Sequence, residues 1–179
     1  MIMKEIFVLF AKQNADANEK ILSILNAMPN DEREAARGSY YSSLSGLVRH
    51  ILGGTIFLSG LFGKALAGNS EASKALACIA SVAQPPDGVL SEAQWKDLSH
   101  ALPALDKAYL ALVETLREEE LAASMEVTLF GGKPMNVPVS FMFQQLVAHN
   151  IHHRGQISQI LDSLKIDNNY SGISPAFLH

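Results

Sequence analysis

The sequence contains little of what defines several common classes of protein. Cys78 is the one cysteine in 179 residues, so an intramolecular disulfide is excluded and a reducing compartment, the cytoplasm, is expected. Aromatic residues make up 7 % of the chain against 48 % hydrophobic residues overall, which predicts a mainly aliphatic core. Cys78 itself lies in the apolar run of residues 75–80, where we expect a small buried side chain.

Long basic runs and long apolar runs are also missing. The net charge is −4, and nucleic-acid binding requires a concentrated cationic surface, so we expect no nucleic-acid partner. The apolar residues 6–11 are too few for a bilayer span or a secretory signal, so we assign them to a helix and expect no membrane insertion. A chain of this length is most simply one domain over residues 1–179.

Apolar residues recur every three or four positions in four long segments, which is the periodicity of amphipathic helices. A short helix or loop is expected over residues 70–88. Helices of this length pack into a bundle and offer side-chain sites between facing helices. The predicted long helices cover residues 2–28, 40–66, 91–120 and 138–164.

Several residues mark where these helices begin and end. Pro29, followed by an asparagine and an aspartate, predicts a break and a new helix start. Ser91 and Gln94 have the spacing of a capping box at the start of the third long helix. Pro103 lies inside that helix and is expected to kink or divide it, because proline lacks a backbone N–H.

The periodicity changes from 3.6 to 2 before the last long helix. Apolar and polar residues alternate over residues 127–129 and again over residues 135–137, and Gly131 and Gly132 suggest a tight turn between them. The predicted fold is therefore all-α, a four-helix bundle with a short β-hairpin between helices three and four.

The fourth helix carries a pair of histidines with metal-chelating spacing. His149 and His153 are one helical turn apart, and both belong to the apolar face of this helix. His152 is also close to His149 in spacing, but it belongs to a polar stripe with Gln145 and Gln156. We therefore expect His149 and His153 to be the inward pair, and they need a partner because burying an unpaired polar ring costs about 1–3 kcal/mol.

His50 on the second long helix is the candidate for a third ligand. Leu47, His50, Gly54, Phe57 and Leu61 follow the 3,4 spacing of a buried stripe. Gly54 lies one turn from His50, and its missing side chain would leave room for an ion, a water or a neighbouring backbone. The alternative is a core histidine that is satisfied by hydrogen bonds alone.

Three imidazoles from two helices would leave at least one position of an ion open, as in catalytic rather than structural sites. Gln156, Asn14 and Asn18 are candidates for holding the other imidazole nitrogens. The two asparagines could equally bond to a neighbouring helix or to water. Arg154 is expected to anchor the helix through a surface or interhelical ion pair, and Gly155 to permit close helix packing.

These features resemble the DinB family, also called the DinB/YfiT-like metalloenzymes. The resemblance rests on the order of helices and hairpin and on His153-Arg154-Gly155-Gln156 with His149 four residues before it. In the first helix, Asn14 and residues 17–22 loosely resemble the asparagine-bearing pattern of the family. The resemblance covers most of the chain.

The resemblance implies a divalent metal site whose ligands fall on His50, His149 and His153. Zinc or nickel are the leading choices for the ion, with iron or manganese as further options. Several family members are homodimers and transfer groups to low-molecular-weight thiols such as bacillithiol, mycothiol or glutathione. The resemblance therefore implies a metal-dependent enzyme, a thiol S-transferase that acts on a small molecule. The alternative is a non-catalytic dimeric metal-binding or stress-response module.

Overall fold

The computed structural model describes residues 2–129 and 131–178, and α-helices dominate this part of the chain. Each long helix has one apolar face, which is buried against its neighbours. The helices are α1 (Met3–Asn26), α2 (Asn30–Glu34), α3 (Leu44–Gly60), α4 (Ser70–Ala80), α5 (Glu92–Thr115), α6 (Glu118–Ala122) and α7 (Val139–Ser163), and a 3₁₀ helix spans Pro175–Leu178.

The four long helices α1, α3, α5 and α7 form the predicted bundle. Helix α1 packs most extensively against α5, and α3 packs against α7, while the shorter α4 covers α5. The core between them is mainly aliphatic, because leucines and isoleucines occupy the inward positions of every long helix. The all-α class predicted from the periodicity is confirmed.

The start of α5 follows the predicted capping box. Gln94 donates its backbone N–H to Ser91 Oγ at 3.3 Å, and Gln94 Oε1 accepts the backbone N–H of Ser91 at 2.8 Å. Of the two alternatives expected for Pro103, division of the helix is wrong, since α5 continues through it, and a kink stays a prediction. Pro103 faces solvent, where water can satisfy the carbonyl that loses its N–H partner. The helix ends at Thr115, and the separate helix α6 follows.

Helix α3 is shorter than the predicted residues 40–66. It begins after Ser43, whose hydroxyl accepts the backbone N–H of Gly46 at 3.0 Å. Ser42 adopts a φ of 64°, which interrupts the helical path before that cap. A Cβ on Gly46 would lie 2.0 Å from the carbonyl oxygen of Tyr41, so the preceding loop folds back closely over the start of α3.

The hairpin is confirmed, although its connection is longer than predicted. Strand β1 (Ser124–Val127) pairs antiparallel with β2 (Met135–Pro138). Leu129 lies outside the strands, so the connection is longer than predicted, but the expected tight turn is present within it: Gly132 donates its backbone N–H to the Leu129 carbonyl oxygen at 2.9 Å, and Gly131 has a φ of 72°. The hairpin lies between the third and fourth long helices as expected, with α6 added before it.

The predictions for Cys78 and for residues 6–11 have different outcomes. Cys78 is exposed, not buried, because α4 packs through Ala72, Ala75 and Ile79 and turns Cys78 away from them. Residues 6–11 belong to α1 as predicted. No helix within residues 2–129 and 131–178 combines the length and apolar character needed to cross a membrane.

Candidate metal centre

Helices α3 and α7 bring three imidazoles together, as the spacing predicted. The ring centroids of His50 lie 4.8 Å from His149 and 4.4 Å from His153, and the latter two are 4.6 Å apart. One nitrogen from each ring falls within 4.8 Å of the others. His152 is exposed, so the choice of His149 and His153 as the inward pair is confirmed.

The burial of His50 differs from the expectation. His153 is buried, but His50 is half-buried, because the core of α3 is formed by another face that carries Ile51 and Thr55. Phe57, which shares the predicted stripe with His50, is 54 % exposed. The face with His50 therefore borders open space beside the bundle core.

Gly54 makes the approach of the two helices possible. A Cβ at this position would lie 2.3 Å from His149 Cε1 and 2.8 Å from its Nε2, which no side chain tolerates. The space that the sequence assigned to an ion, a water or a backbone is filled by the imidazole of His149. The missing side chain thus allows α3 and α7 to hold His149 against His50.

The ring nitrogens have defined partners. His149 Nε2 lies 2.9 Å from His50 Nε2, and His149 Nδ1 lies 3.1 Å from Asn150 Oδ1. His153 Nδ1 lies 2.7 Å from Gln156 Oε1, which confirms Gln156 as a partner of an imidazole. An amide oxygen on Nδ1 requires a proton there, and this leaves the lone pair of His149 and of His153 on Nε2, which in His149 is the atom that faces His50 Nε2.

Electrostatics keep these imidazoles neutral. Burial, reinforced by the neighbouring histidines and Arg49, lowers the pKa of His50 to about 4. Burial also lowers the pKa of His149 and of His153, although the amide contacts of these rings act in the opposite direction. Neutral imidazole is the form that binds a metal ion, so no proton has to be removed near pH 7.

An aromatic ring covers His50 from the loop before α3. Tyr41 stacks on His50 with a centroid distance of 3.7 Å and meets His153 edge-on at 5.3 Å. The sequence assigned Tyr41 to a helix and gave no role to it. Tyr41 reaches His50 because the loop folds back over Gly46, and helical periodicity does not predict that path.

A cavity of about 670 Å³ opens beside His50. Its wall includes Tyr41 and Gly54, which adjoin the histidine cluster, together with Phe57, Arg49 and residues of the loop before α5. Arg49 donates to the carbonyl oxygens of Pro86 and Gly88 at 2.7 and 3.1 Å and so ties this loop to α3. A small molecule in this cavity would contact the His50 side of the cluster.

Behind the histidines lies a buried network of amides around one carboxylate. Asn14 and Asn18 of α1 donate to Asp106 of α5 at 2.7 and 3.1 Å. Asn150 donates to Asn14 Oδ1 at 3.2 Å and links the network to His149. Both asparagines thus bond to a neighbouring helix, which was the alternative expected for them; Asn14 reaches an imidazole only through Asn150, and Asn18 reaches only the carboxylate.

Sequence reasoning missed Asp106 and Asn150. Asp106 lies four residues after Leu102 and three before Tyr109, so a charged residue in the apolar stripe of α5 was the available signal. Burial raises the pKa of Asp106 to about 7, while the bonds from Asn18 and Asn14 and the charge of Arg154 lower it. Asn150 adjoins His149 in sequence, but only the structure shows its amide turned toward the bundle interior.

Two expectations for the end of the histidine motif are wrong. Arg154 is buried, and instead of an ion pair it donates to the amide oxygens of Asn14 and Gln13. Burial lowers its pKa to about 10, against the attraction of Asp106. Gly155 is exposed with no atom near its potential Cβ, so it does not serve close helix packing.

The residues present fit a divalent metal ion. A tetrahedral ion with metal–nitrogen bonds of about 2.1 Å holds its ligands about 3.4 Å apart. The ligand nitrogens of the three imidazoles lie within 4.8 Å of one another, and the His50–His149 pair is 2.9 Å apart, so their separations lie on either side of that value. The donors are neutral, and two of them have an amide oxygen on the other ring nitrogen. These are the properties of imidazole ligands in known metal sites.

Comparison with known proteins supports the same class. The family model of the DinB family matches residues 1–164 of the 179 residues. The chain therefore belongs to the DinB family, as the histidine motif and the order of elements indicated. No curated protein and no solved structure matches the sequence.

Proposed function

We propose that this protein is a metal-dependent enzyme in which His50, His149 and His153 bind one divalent ion. The observation that carries the proposal is the convergence of three neutral imidazoles beside a cavity of about 670 Å³. Three protein ligands leave a coordination position for a substrate, and the cavity supplies a route to it. A closed structural site would need neither feature.

The proposed reaction is a substitution by the sulfur of a low-molecular-weight thiol: a sulfur–carbon bond forms at the electrophile, its leaving group departs with the electron pair, and the thiol proton passes to solvent. A bound divalent ion lowers the pKa of a coordinated thiol or water and so supplies a nucleophile near neutral pH. Gln156 and Asn150 orient the imidazoles, and Tyr41 and Phe57 offer apolar surface to the substrate. Zinc or nickel is the proposed ion, and a homodimer the proposed state.

The metal site is tested with two histidine variants of protein purified without a histidine tag. His153→Ala removes a proposed ligand, while His152→Ala removes the exposed histidine next to it in sequence and serves as the matched control. We expect about one equivalent of metal in the wild type and in His152→Ala, and a clear loss in His153→Ala. Equal metal content in all three proteins would exclude the site.

Catalysis is tested separately from binding. Purified protein loaded with zinc or nickel is incubated with bacillithiol, mycothiol or glutathione and an electrophile that reports thioether formation. We expect turnover that disappears on chelation and returns with the ion. A protein that binds the ion and gains melting temperature from it, yet turns over none of these thiols, would instead be the non-catalytic metal-binding module.

A further inference from the structure

A continuous chain of hydrogen bonds connects a buried carboxylate to one of the proposed metal ligands. It runs from Asp106 on α5 through Asn14 on α1 and Asn150 on α7 to His149. Asp106, Asn14 and Asn150 are each no more than 6 % exposed, so water does not compete with these bonds. The four residues joined by these bonds lie outside the wall of the cavity beside His50.

The orientation of Asn14 is fixed at both of its ends. With Oδ1 unprotonated, Asp106 accepts from Asn14 Nδ2, which lies 2.7 Å away. Arg154 can only donate, and its Nη1 contacts Asn14 Oδ1. Rotating the amide by 180° would place donor against donor and acceptor against acceptor.

A fixed Asn14 in turn fixes Asn150. Asn14 Oδ1 accepts a hydrogen bond, so the Asn150 atom that faces it at 3.2 Å must be the donor Nδ2. Thr55 lies 3.1 Å from the same nitrogen, but its hydroxyl both donates and accepts and would tolerate either orientation. Asn14 is therefore the partner that turns Asn150 Oδ1 toward His149.

We infer that Asp106 and Asn14 are positioning residues that act through Asn150 to hold His149 as the tautomer with its proton on Nδ1. That tautomer leaves the lone pair on Nε2, the atom that lies 2.9 Å from His50 Nε2 within the histidine cluster. The value of this arrangement for metal affinity rests on the proposed metal site. The tautomer itself does not, because it is a property of the protein chain alone.

The chain offers a closely matched control for this inference. Asn18 lies one turn from Asn14 on α1, is equally buried, and also donates its amide to Asp106, at 3.1 and 3.0 Å. Its bonds end at the carboxylate, whereas those of Asn14 continue to Asn150. A purely structural role for the network predicts similar effects at the two positions.

The experiment compares Asn14→Ala with Asn18→Ala in the full-length protein. In metal-free protein, long-range ¹H–¹⁵N spectra assign the proton of His149 to Nδ1 or Nε2. Zinc affinity is then measured by competition with a chelator. We expect Asn14→Ala to populate the Nε2–H tautomer and to weaken zinc binding about tenfold, while Asn18→Ala keeps the tautomer and the affinity of the wild type.

A third variant tests the role of the carboxylate. Asp106→Asn keeps an oxygen for Asn14 to donate to, and Asn18 can turn its amide to accept from the new NH₂, so we expect the wild-type tautomer. Asp106→Leu removes the acceptor and should behave as Asn14→Ala. If Asp106→Leu fails to fold, Asn14→Ala still decides the matter.

The outcomes separate this inference from the proposed function. An unchanged His149 tautomer in Asn14→Ala, or identical changes in Asn14→Ala and Asn18→Ala, would overturn the inference even if the protein binds zinc. A wild type that binds no zinc would overturn the metal site, yet a tautomer shift confined to Asn14→Ala would still support the positioning role.

Discussion

Two arginines are buried in this bundle, and they are satisfied in different ways. Arg33 of α2 donates to the carbonyl oxygens of Leu25 and Met28 at the end of α1 and to the carboxylate of Glu92 at 2.6 Å. Its guanidinium also lies 4.5 Å from the centroid of the Trp95 ring. The charge is thus opposed by a helix C-terminus and a carboxylate, and Arg33 ties α1, α2 and α5 together.

Arg154 is as deeply buried, but it contacts two neutral amide oxygens and reaches a carboxylate only through Asn14. Arg33 therefore links helices through backbone carbonyls and a carboxylate, and its contacts go no further. Arg154 belongs to a hydrogen-bond network that continues to an imidazole of the candidate metal centre. Burial of a charge alone does not distinguish the two roles; the identity of its partners does.

The largest expected effect comes from Arg33→Met. The change removes the donor from the end of α1 and leaves two buried carbonyls with fewer partners, so the free energy of unfolding should fall by about 3 kcal/mol. Denaturant titration measures the loss. Zinc affinity should stay at the wild-type value, and a parallel loss of zinc binding would contradict the separation of the two regions.

Arg154→Met should affect both stability and the metal centre. Gln13 and Asn14 would lose a charged donor, and we expect a fall of about 2 kcal/mol in the free energy of unfolding. Because Asn14 is then held from one end only, zinc affinity should fall by about tenfold. The same denaturant and chelator titrations measure these two changes. An unchanged zinc affinity would show that Arg154, like Arg33, has a purely structural role.

Gly54→Ala tests the metal centre from the α3 side and leaves both arginines unchanged. The new Cβ would displace the imidazole of His149, so zinc affinity should fall by about tenfold. Gly53→Ala is the control, because its Cβ would meet only the flexible end of Gln84, at 3.0 Å. Equal zinc affinities for the two variants would show that His149 does not need its present position.

The smallest effect is expected from pH, because solvent screens the charge of the half-exposed His50. The pKa of His50 is about 4 in the folded protein against an ordinary 6.5, so the unfolded chain binds more protons between these values. The contribution of His50 to stability is therefore complete above pH 6.5 and is lost as the pH falls toward 4. In metal-free protein, His50→Asn should lose less stability over this range than the wild type.

The comparison of variants is essential in that experiment. Burial raises the pKa of Asp106 to about 7, so this carboxyl adds stability as the pH falls through the same range. The pH profile of Arg33→Met should run parallel to that of the wild type, since Arg33 does not face the histidines. A His50→Asn profile parallel to the wild type would contradict the lowered pKa of His50.

Much of the fold followed from local patterns. The capping box at Ser91, the break at Pro29 and the alternation near Val127 each mark an element boundary that the structure shows. The start of α3 was placed too early because the apolar periodicity continues through Tyr41, and the turn that interrupts the helix combines the φ of 64° at Ser42 with a close backbone approach of Tyr41 to Gly46. Periodicity reports a preference for helix, and such contacts override it.

The histidines were predictable, but their supports were not. His149 and His153 share a helix, so their spacing alone places them together, and only the approach of His50 required the tertiary fold. Asp106 is 43 residues before His149 along the chain and three hydrogen bonds from it in space. Amide orientations depend on the whole network, and no sequence pattern specifies them.

The close approach of the loop to Gly46 has a consequence for how this sequence can diverge. Any substitution at this position adds an atom 2.0 Å from the Tyr41 carbonyl, so the loop would have to move and carry the ring that stacks on His50 with it. A substitution at this buried helix start would therefore change the packing of Tyr41 against the imidazole cluster. Homologues that keep the three histidines should tolerate alanine or serine at position 46 only together with a rebuilt or lengthened loop.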